Sequence, residues 1–380
     1  MVIDLSEQFP QADDLCYLNH AAMGPWPKCA INEINRFAKE NLTIGASHYD
    51  RWLKTEHSLK LGLAKLINAP SINDIALVKN TSEGLSIIAY GIDWQESDEI
   101  LLLDQEFPSN RIVWESLRAK GVVVKIIDTH GNDDVESLLI EQSTVRTRLI
   151  TVSSVQYVSG LCLDLKRISE HCQKKNILFC VDAIQSIGAL PFDLKKTPAD
   201  FVVADGHKWL LGPEGIALFY CSEKQRNVLS LNQYGWHMVK ALGQYDRDDW
   251  QIADNARRFE CGSPNMLGIH ALNASIGLLL DVGMDNVALA VINNTRYLIS
   301  GLQNIDGISL LSNIEEGRHG GIVTFSHNVV ASEILYSRLK KQNIICAHRG
   351  GGVRFSPHFY NTKEQLDIAL NAVQQITQAA

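Results

Sequence analysis

Between residues 75 and 221 the chain repeats one pattern: a short, almost wholly apolar run, then a longer amphipathic stretch. The runs are IALVK (75–79), EILLLD (99–104), VVVKIID (122–128), RLITVSS (148–154), ILFCVD (177–182), DFVVAD (200–205) and IALFYC (216–221). They do not alternate polar with apolar residues, so a strand made from one must be covered on both faces. SEGLSIIAYGI, PSNRIVWESLRAKG, DDVESLLIEQ and LKRISEHCQKKN, which lie between them, have the helical spacing to supply that cover. The pattern predicts an α/β fold with a mostly parallel seven-stranded sheet. A parallel return needs a crossover of about a dozen residues or more. Only ten residues separate Asp205 from Ile216, so the seventh strand is expected to run antiparallel.

Beyond Cys221 the pattern changes. Residues 222–260 are polar and irregular, with Tyr234, Trp236, Tyr245 and Trp250 among them. Two long helical stretches follow, NMLGIHALNASIGLLLDVG and MDNVALAVINNTRYLISGLQN. The strand-like GIVTFSH, NIICAH and GVRFSP then alternate with helical ASEILYSRLKKQ and KEQLDIALNAVQQITQA. The expected division is a large α/β domain over 20–262 and a smaller α+β domain made of 1–19 with 263–380. A net charge of −8 and the lack of any basic run argue against nucleic acid as a partner. The N-terminal stretch lacks the pattern of a signal peptide, and no apolar stretch approaches the roughly 20 residues that span a bilayer. A cytoplasmic protein with no membrane partner is therefore expected. The eight cysteines form no C-x-x-C pair, and those in ILFCVD and IALFYC read as small buried hydrophobes. Neither a disulfide framework nor a metal site is expected.

In open α/β sheets, ligands bind beyond the carboxyl ends of the strands. Four groups stand at such places. VKNTSEGL turns from a strand into a helix near Glu83, and the free N–H groups of a helix start bind phosphate, with Thr81 and Ser82 adding hydroxyls. Read singly, this is a Ser/Thr helix cap. Asp182 closes an apolar run in FCVDAIQ, where a carboxylate needs a partner such as a protonated ring nitrogen; a helix cap or an ion pair is the plainer reading. Lys208 in ADGHKW follows a histidine inside an apolar frame, which can lower an amine's pKa and make it a nucleophile towards aldehydes. A lone lysine in a turn is otherwise simply solvated. Arg354, within GVRFSPHFYN, is costly to bury unless it meets an anion, whether a ligand or a structural carboxylate. Taken together, a phosphate cup, a carboxylate and a Schiff-base lysine describe what pyridoxal phosphate requires.

With these residues in this order, the chain resembles the class V aminotransferases among the fold-type I pyridoxal-phosphate enzymes, a group that includes cysteine desulfurases, selenocysteine lyases and an epimerase branch. The resemblance runs from CYLNHAAMGPWP to SPHFYNT and is most specific in VDAIQSIGALPFDL and GHKWLLGPEGIALFY. It implies the fold-type I architecture and pyridoxal 5′-phosphate as cofactor. It also implies that Lys208 forms the internal aldimine and that Asp182 pairs with the pyridine nitrogen. Gln185 would meet the ring hydroxyl. Thr81, Ser82 and His207 would hold the phosphate. Phe107 and Ile184 would lie on the two ring faces. Ser263 would reach the phosphate of a second subunit in a homodimer with shared sites, with the Gly212–Gly215 loop nearby. Arg354 would grip the substrate carboxylate, helped by the turn at His20, Ala21 and Gly24.

Three departures from the family pattern qualify the resemblance. Many relatives carry serine shortly before the lysine, where this chain has Asp205 and Gly206. Tyr157 stands where desulfurases usually have asparagine. Tyr157, His48 and Trp236 are candidate specificity residues. Cys346 lies in an apolar run only eight residues before Arg354, which reads as a structural cysteine and not as a mobile thiolate. The resulting expectation is a class V aminotransferase acting on a small amino acid. The alternatives are a desulfurase-like C–S or C–Se β-lyase, an amino-acid epimerase, or a binding protein without turnover. A nicotinamide oxidoreductase would need G-x-G-x-x-G after an early strand, and KNTSEG does not match it.

Overall fold

The computed structural model describes residues 5–379. A one-turn helix α1 (Leu5–Gln8), a two-residue strand β1 (Cys16–Tyr17) and two long helices, α2 (Lys28–Ile44) and α3 (Tyr49–Leu66), precede the repeating pattern. The pattern itself folds as expected. Strand and helix alternate through β2 (Ile75–Val78), α4 (Thr81–Gly91), β3 (Glu99–Leu103), α5 (Ser109–Glu115), β4 (Val123–Ile127), α6 (Val135–Glu141), β5 (Thr147–Ser153), α7 (Leu165–Lys175) and β6 (Leu178–Asp182). β7 (Phe201–Asp205) and β8 (Ala217–Cys221) complete a seven-stranded sheet in the order β2-β8-β7-β6-β5-β3-β4. β8 runs antiparallel to both its neighbours, as the short connection after Asp205 required, and the remaining pairs are parallel.

Both faces of the sheet are covered except along the edge strand β4, where Val123 and Ile126 are exposed. Along β6, Val181 enters one core with Leu101, Val152 and Leu218, while Cys180 enters the other with Ile100, Leu149 and Phe219. This is why the strand sequences are continuously apolar.

The chain continues through α8 (Glu223–Arg226), α9 (Met266–Val282), α10 (Met284–Gln303), β9 (Ile308–Leu310), β10 (Val323–His327), α11 (Ser332–Lys341), β11 (Ile344–Ile345), β12 (Ala347–Arg349), β13 (Gly352–Phe355) and α12 (Lys363–Gln378). β12, β13, β10 and β9 form an antiparallel sheet with its own core around Phe325, Phe355, Leu298 and Val373. β1 pairs in parallel with β11, and Leu18 joins that core. The first four residues of the expected 1–19 segment lie outside the described residues. Two details differ from the sequence reading. NIICAH is split at Cys346 into β11 and β12. α9, placed by sequence with the small domain, packs Ile269, Leu272, Ile276 and Leu279 into the core of the large sheet, against α2 and α3. The helix is apolar on most of its surface, so its sequence does not say which neighbour it covers. Among the described residues, no single helix is long and apolar enough to cross a membrane.

The N-terminal turn is locked to the end of β7. Gly24 N–H donates to the His207 carbonyl at 2.8 Å. A Cβ on Gly24 would stand 2.3 Å from the Lys208 carbonyl oxygen, with backbone and not a flexible side chain in the way. Gly24→Ala is therefore expected to cost about 2 kcal/mol or more. A thermal melt should show a clear drop in midpoint, and an unchanged melt would refute the close approach.

Candidate active site

β2 and β7 both run antiparallel to β8, so β2 points the same way as the five parallel strands. The carboxyl ends of six strands thus open on one edge. β3 and β5 are sheet neighbours but are separated in sequence by β4, so the connections after them leave in opposite directions. A crevice forms at such a reversal. The cavity there is lined by Thr81 and Ser82 after β2, Phe107 after β3, Tyr157 after β5, and Asp182, Ile184 and Gln185 at the end of β6. Asp205, His207 and Lys208 follow from β7; Ala21, Ala22, Arg349 and Arg354 enter from the two chain ends.

Lys208 and Asp182 are buried in this cavity. Burial, the largest influence on each, pushes the lysine amine below its ordinary range and the Asp182 carboxyl above its own. The mutual attraction of the two opposes both shifts without cancelling them. Lys208 is thereby poised to be a neutral nucleophile. Asp182 accepts from Ile184 N–H at 3.1 Å and makes no ion pair in the described residues. The ammonium end of Lys208 lies 5.5 Å from the centre of the Phe107 ring, which meets Tyr157 edge to face at 5.1 Å.

The start of α4 corrects the helix-cap reading. Asn80 is the cap, its side chain accepting from Glu83 N–H at 2.9 Å, so Thr81 and Ser82 are not needed for that purpose. The Thr81 hydroxyl is buried and makes no hydrogen bond. Ser82 donates to the Ser109 hydroxyl at 2.8 Å. Gln185 donates to the Ala21 carbonyl at 3.0 Å and accepts from Trp209 Nε1 at 2.8 Å, which leaves one amide hydrogen for a ligand.

Arg354 is 2 % exposed. Its Nη1 donates to the Tyr157 carbonyl at 2.6 Å, and its Nε makes no hydrogen bond. Burial, then the nearby Arg349, holds its pKa down to about 10, so the group stays cationic. The hairpin joining β12 to β13 turns on Gly350 and Gly351, with φ of 55° and 77°, a pair of left-handed residues that suits a two-residue turn. That tight turn brings Arg349 to the cavity, a residue the sequence reading missed. The clue lay in the glycine run after it.

Several expected residues lie elsewhere. His20 does not line the cavity. Its Nδ1 donates to the Ser356 carbonyl at 2.9 Å, so its Nε2, at 2.7 Å, accepts from the Tyr360 hydroxyl, and both ring nitrogens are spent on structure. Ala21 and Ala22 represent that turn instead. Ser263 lines a different cleft, together with Gly215 and Asn265. His48 stands at the N-cap position of α3 without a capping side-chain hydrogen bond, and Trp236 lies in a separate aromatic pocket with Tyr245 and Trp250. Cys346 is buried between β11 and β12, and burial pushes its thiol up to about 12. Sequence reasoning also missed Glu106. This buried carboxylate accepts from Ser153 N–H and Oγ–H, from Gln156 and from Asn110, at 2.5–2.9 Å, and so anchors the loop that presents Phe107.

The family model described as aminotransferase class-V matches residues 16–368. The chain belongs to the class V aminotransferase family. It is 28% identical to a probable cysteine desulfurase of Methanothermobacter thermautotrophicus, over 98% of this chain and 97% of the relative. It is 31% identical to the uncharacterized aminotransferase YcbU of Bacillus subtilis, over 82% of this chain and 80% of the relative. Among solved structures, the complex of the cystine C–S lyase C-DES with its product cysteine persulfide shares the fold, at a TM-score of 0.90, with 23% identity over 97% of this chain and 99% of that one. The architecture is fold type I, and the cofactor is pyridoxal 5′-phosphate. The cavity suits it: an unpartnered buried hydroxyl at a helix start offers a donor to a phosphate, and a buried carboxyl and a buried amine line the same cavity close enough to influence each other.

The Lys208 and Asp182 shifts give a pH-dependent expectation. Attachment of added cofactor to apo-protein, followed by its long-wavelength absorbance, should speed up as pH rises through a midpoint well below that of a free lysine. Asp182→Asn removes the charge that holds the amine pKa up, so the midpoint should move lower still. Lys208→Ala should retain no cofactor after borohydride treatment and dialysis. A midpoint unmoved by Asp182→Asn would contradict the coupling.

Proposed function

We propose that this enzyme is a C–S lyase that cleaves the bond between the β-carbon and sulfur of a small amino acid without a thiol of its own. The observation that carries this reading is the cavity wall: none of the residues lining it is a cysteine. Cys346 is buried with its thiol held far from the thiolate form. The desulfurase relatives and the fold shared with a cystine lyase favour C–S chemistry, and the missing thiolate favours elimination into solution over transfer to the enzyme.

The geometry supports the following proposed residue roles. With Nη1 given to the Tyr157 carbonyl, Arg354 has its Nε and Nη2 edge free to take the substrate α-carboxylate side on. Pyridoxal phosphate, when bound, supplies the electron sink for the charge left at the α-carbon. Thr81, Ser82 and His207 would hold its phosphate, Asp182 its ring nitrogen and Gln185 its ring hydroxyl, while Phe107 and Ile184 would confine the ring. Lys208, as the neutral amine, takes the α-proton. The electron pair released at the α-carbon expels the β-sulfur as a thiolate. The remaining three-carbon enamine takes up water and leaves as pyruvate and ammonia. Arg349 adds a second cation at the same cavity, which suits a substrate with a distal carboxylate such as cystine. Ser263 shares no wall with Lys208, so its expected contact with a phosphate requires a second copy of the chain, and the active unit is proposed to be a homodimer.

Holoenzyme incubated with cystine should release pyruvate, ammonia and persulfide sulfur in equal amounts. Arg349→Ala should raise the KM for cystine by about tenfold and leave that for an S-alkylcysteine, which lacks the distal carboxylate, nearly unchanged. Cys346→Ser should keep activity within about twofold. The YcbU relationship supports a second reading, transamination. Conversion of the cofactor to its pyridoxamine form, with the amino acid's side chain intact in the keto acid, would replace elimination with that reading. Inversion of configuration at the α-carbon with no other change would indicate epimerisation. Sedimentation of a fully loaded monomer at micromolar concentration would refute the dimer.

A further inference from the structure

Asp205 puts a carboxylate at the end of the cavity where α4 begins. Its Oδ2 lies 3.4 Å from Thr81 N–H, and its Oδ1 accepts from Gly206 N–H at 3.1 Å. The same Oδ1 is 3.1 Å from His207 Nδ1, at an angle that falls short of a hydrogen bond. Asp205 is 7 % exposed, so water does little to screen its charge. Two of the groups assigned to the cofactor's phosphate, the first amide of α4 and His207, therefore already face an anion. The Thr81 hydroxyl beside them remains a buried donor without a partner. Lys208 and Asp182 are the other charged groups that feel Asp205.

A phosphate that draws on these donors must share them with the carboxylate. Two anions that draw on the same donors in a poorly solvated site would repel each other strongly. We propose that Asp205 competes with the cofactor's phosphate for the α4 amide and for His207, and so lowers this enzyme's affinity for the phosphorylated cofactor. Its consequence is a cofactor that exchanges with solution more readily than it would without this carboxylate. The proposal rests on pyridoxal phosphate occupying the Lys208 cavity.

The test measures binding, not turnover. Pyridoxamine 5′-phosphate and pyridoxamine cannot bond covalently to Lys208, so the ratio of their affinities for apo-protein isolates what the phosphate contributes. Asp205→Asn keeps the shape and one acceptor oxygen while removing the charge. It should raise that ratio by about tenfold or more, with pyridoxamine affinity itself unchanged, and Asp205→Ser should act in the same direction. Circular dichroism and thermal melts establish that both variants are folded. A ratio that stays constant or falls in both would overturn the proposal and make Asp205 a support for His207. If neither compound binds wild-type protein, the cofactor assignment of the cavity fails, and this proposal with it.

Discussion

A sheet buried on both faces leaves its polar chemistry only one outlet, the edge where the strands end. The central strands β6, β7 and β8 are apolar up to their ends and lie between two hydrophobic cores. The charged groups of β6 and β7, Asp182 and Asp205, therefore sit at the last strand position, and Lys208 three residues further on. The antiparallel β8 is part of this arrangement. By reversing direction between β7 and β2 it lets β2 deliver the start of α4 to the same edge, so the helix terminus and the lysine meet.

The same burial sets the electrostatics. Lys208 and Asp182 are both driven towards their neutral forms even though they attract one another, because taking each charge out of water costs more than the attraction returns. Glu106, itself buried and pushed upward, reinforces the shift on Asp182 from behind. An amine that would be fully charged on a surface becomes usable as a base and a nucleophile. Arg354 resists the same pressure because its guanidinium keeps its charge even when its pKa is held down. It keeps a positive charge at the cavity, while Lys208 gains access to its neutral form.

The start of α4 carries two opposing features. Thr81 is released for a ligand because Asn80 takes over the capping of α4. Asp205 approaches the same amide with the wrong charge for a phosphate neighbour. The proposed phosphate end of the cavity thus combines donors that invite an anion with a carboxylate that opposes one.

Much of this was legible in residue order. The seven strands, the reversal of the last one, Lys208 and Asp182 at strand ends and Arg354 in an apolar strand all follow from local composition and spacing, since they depend on neighbours a few positions away. Tertiary structure decided what local spacing cannot encode. His20 is adjacent to cavity residues in sequence, yet it is consumed by Ser356 and Tyr360, more than 330 positions away. α9 is apolar on too many sides for its sequence to choose a core. Arg349 reaches the site because a hairpin folds it there, while Cys346, three residues earlier, is shut inside. Each of these outcomes turns on which distant surface covers a side chain, and burial by a remote partner leaves no local periodicity to read.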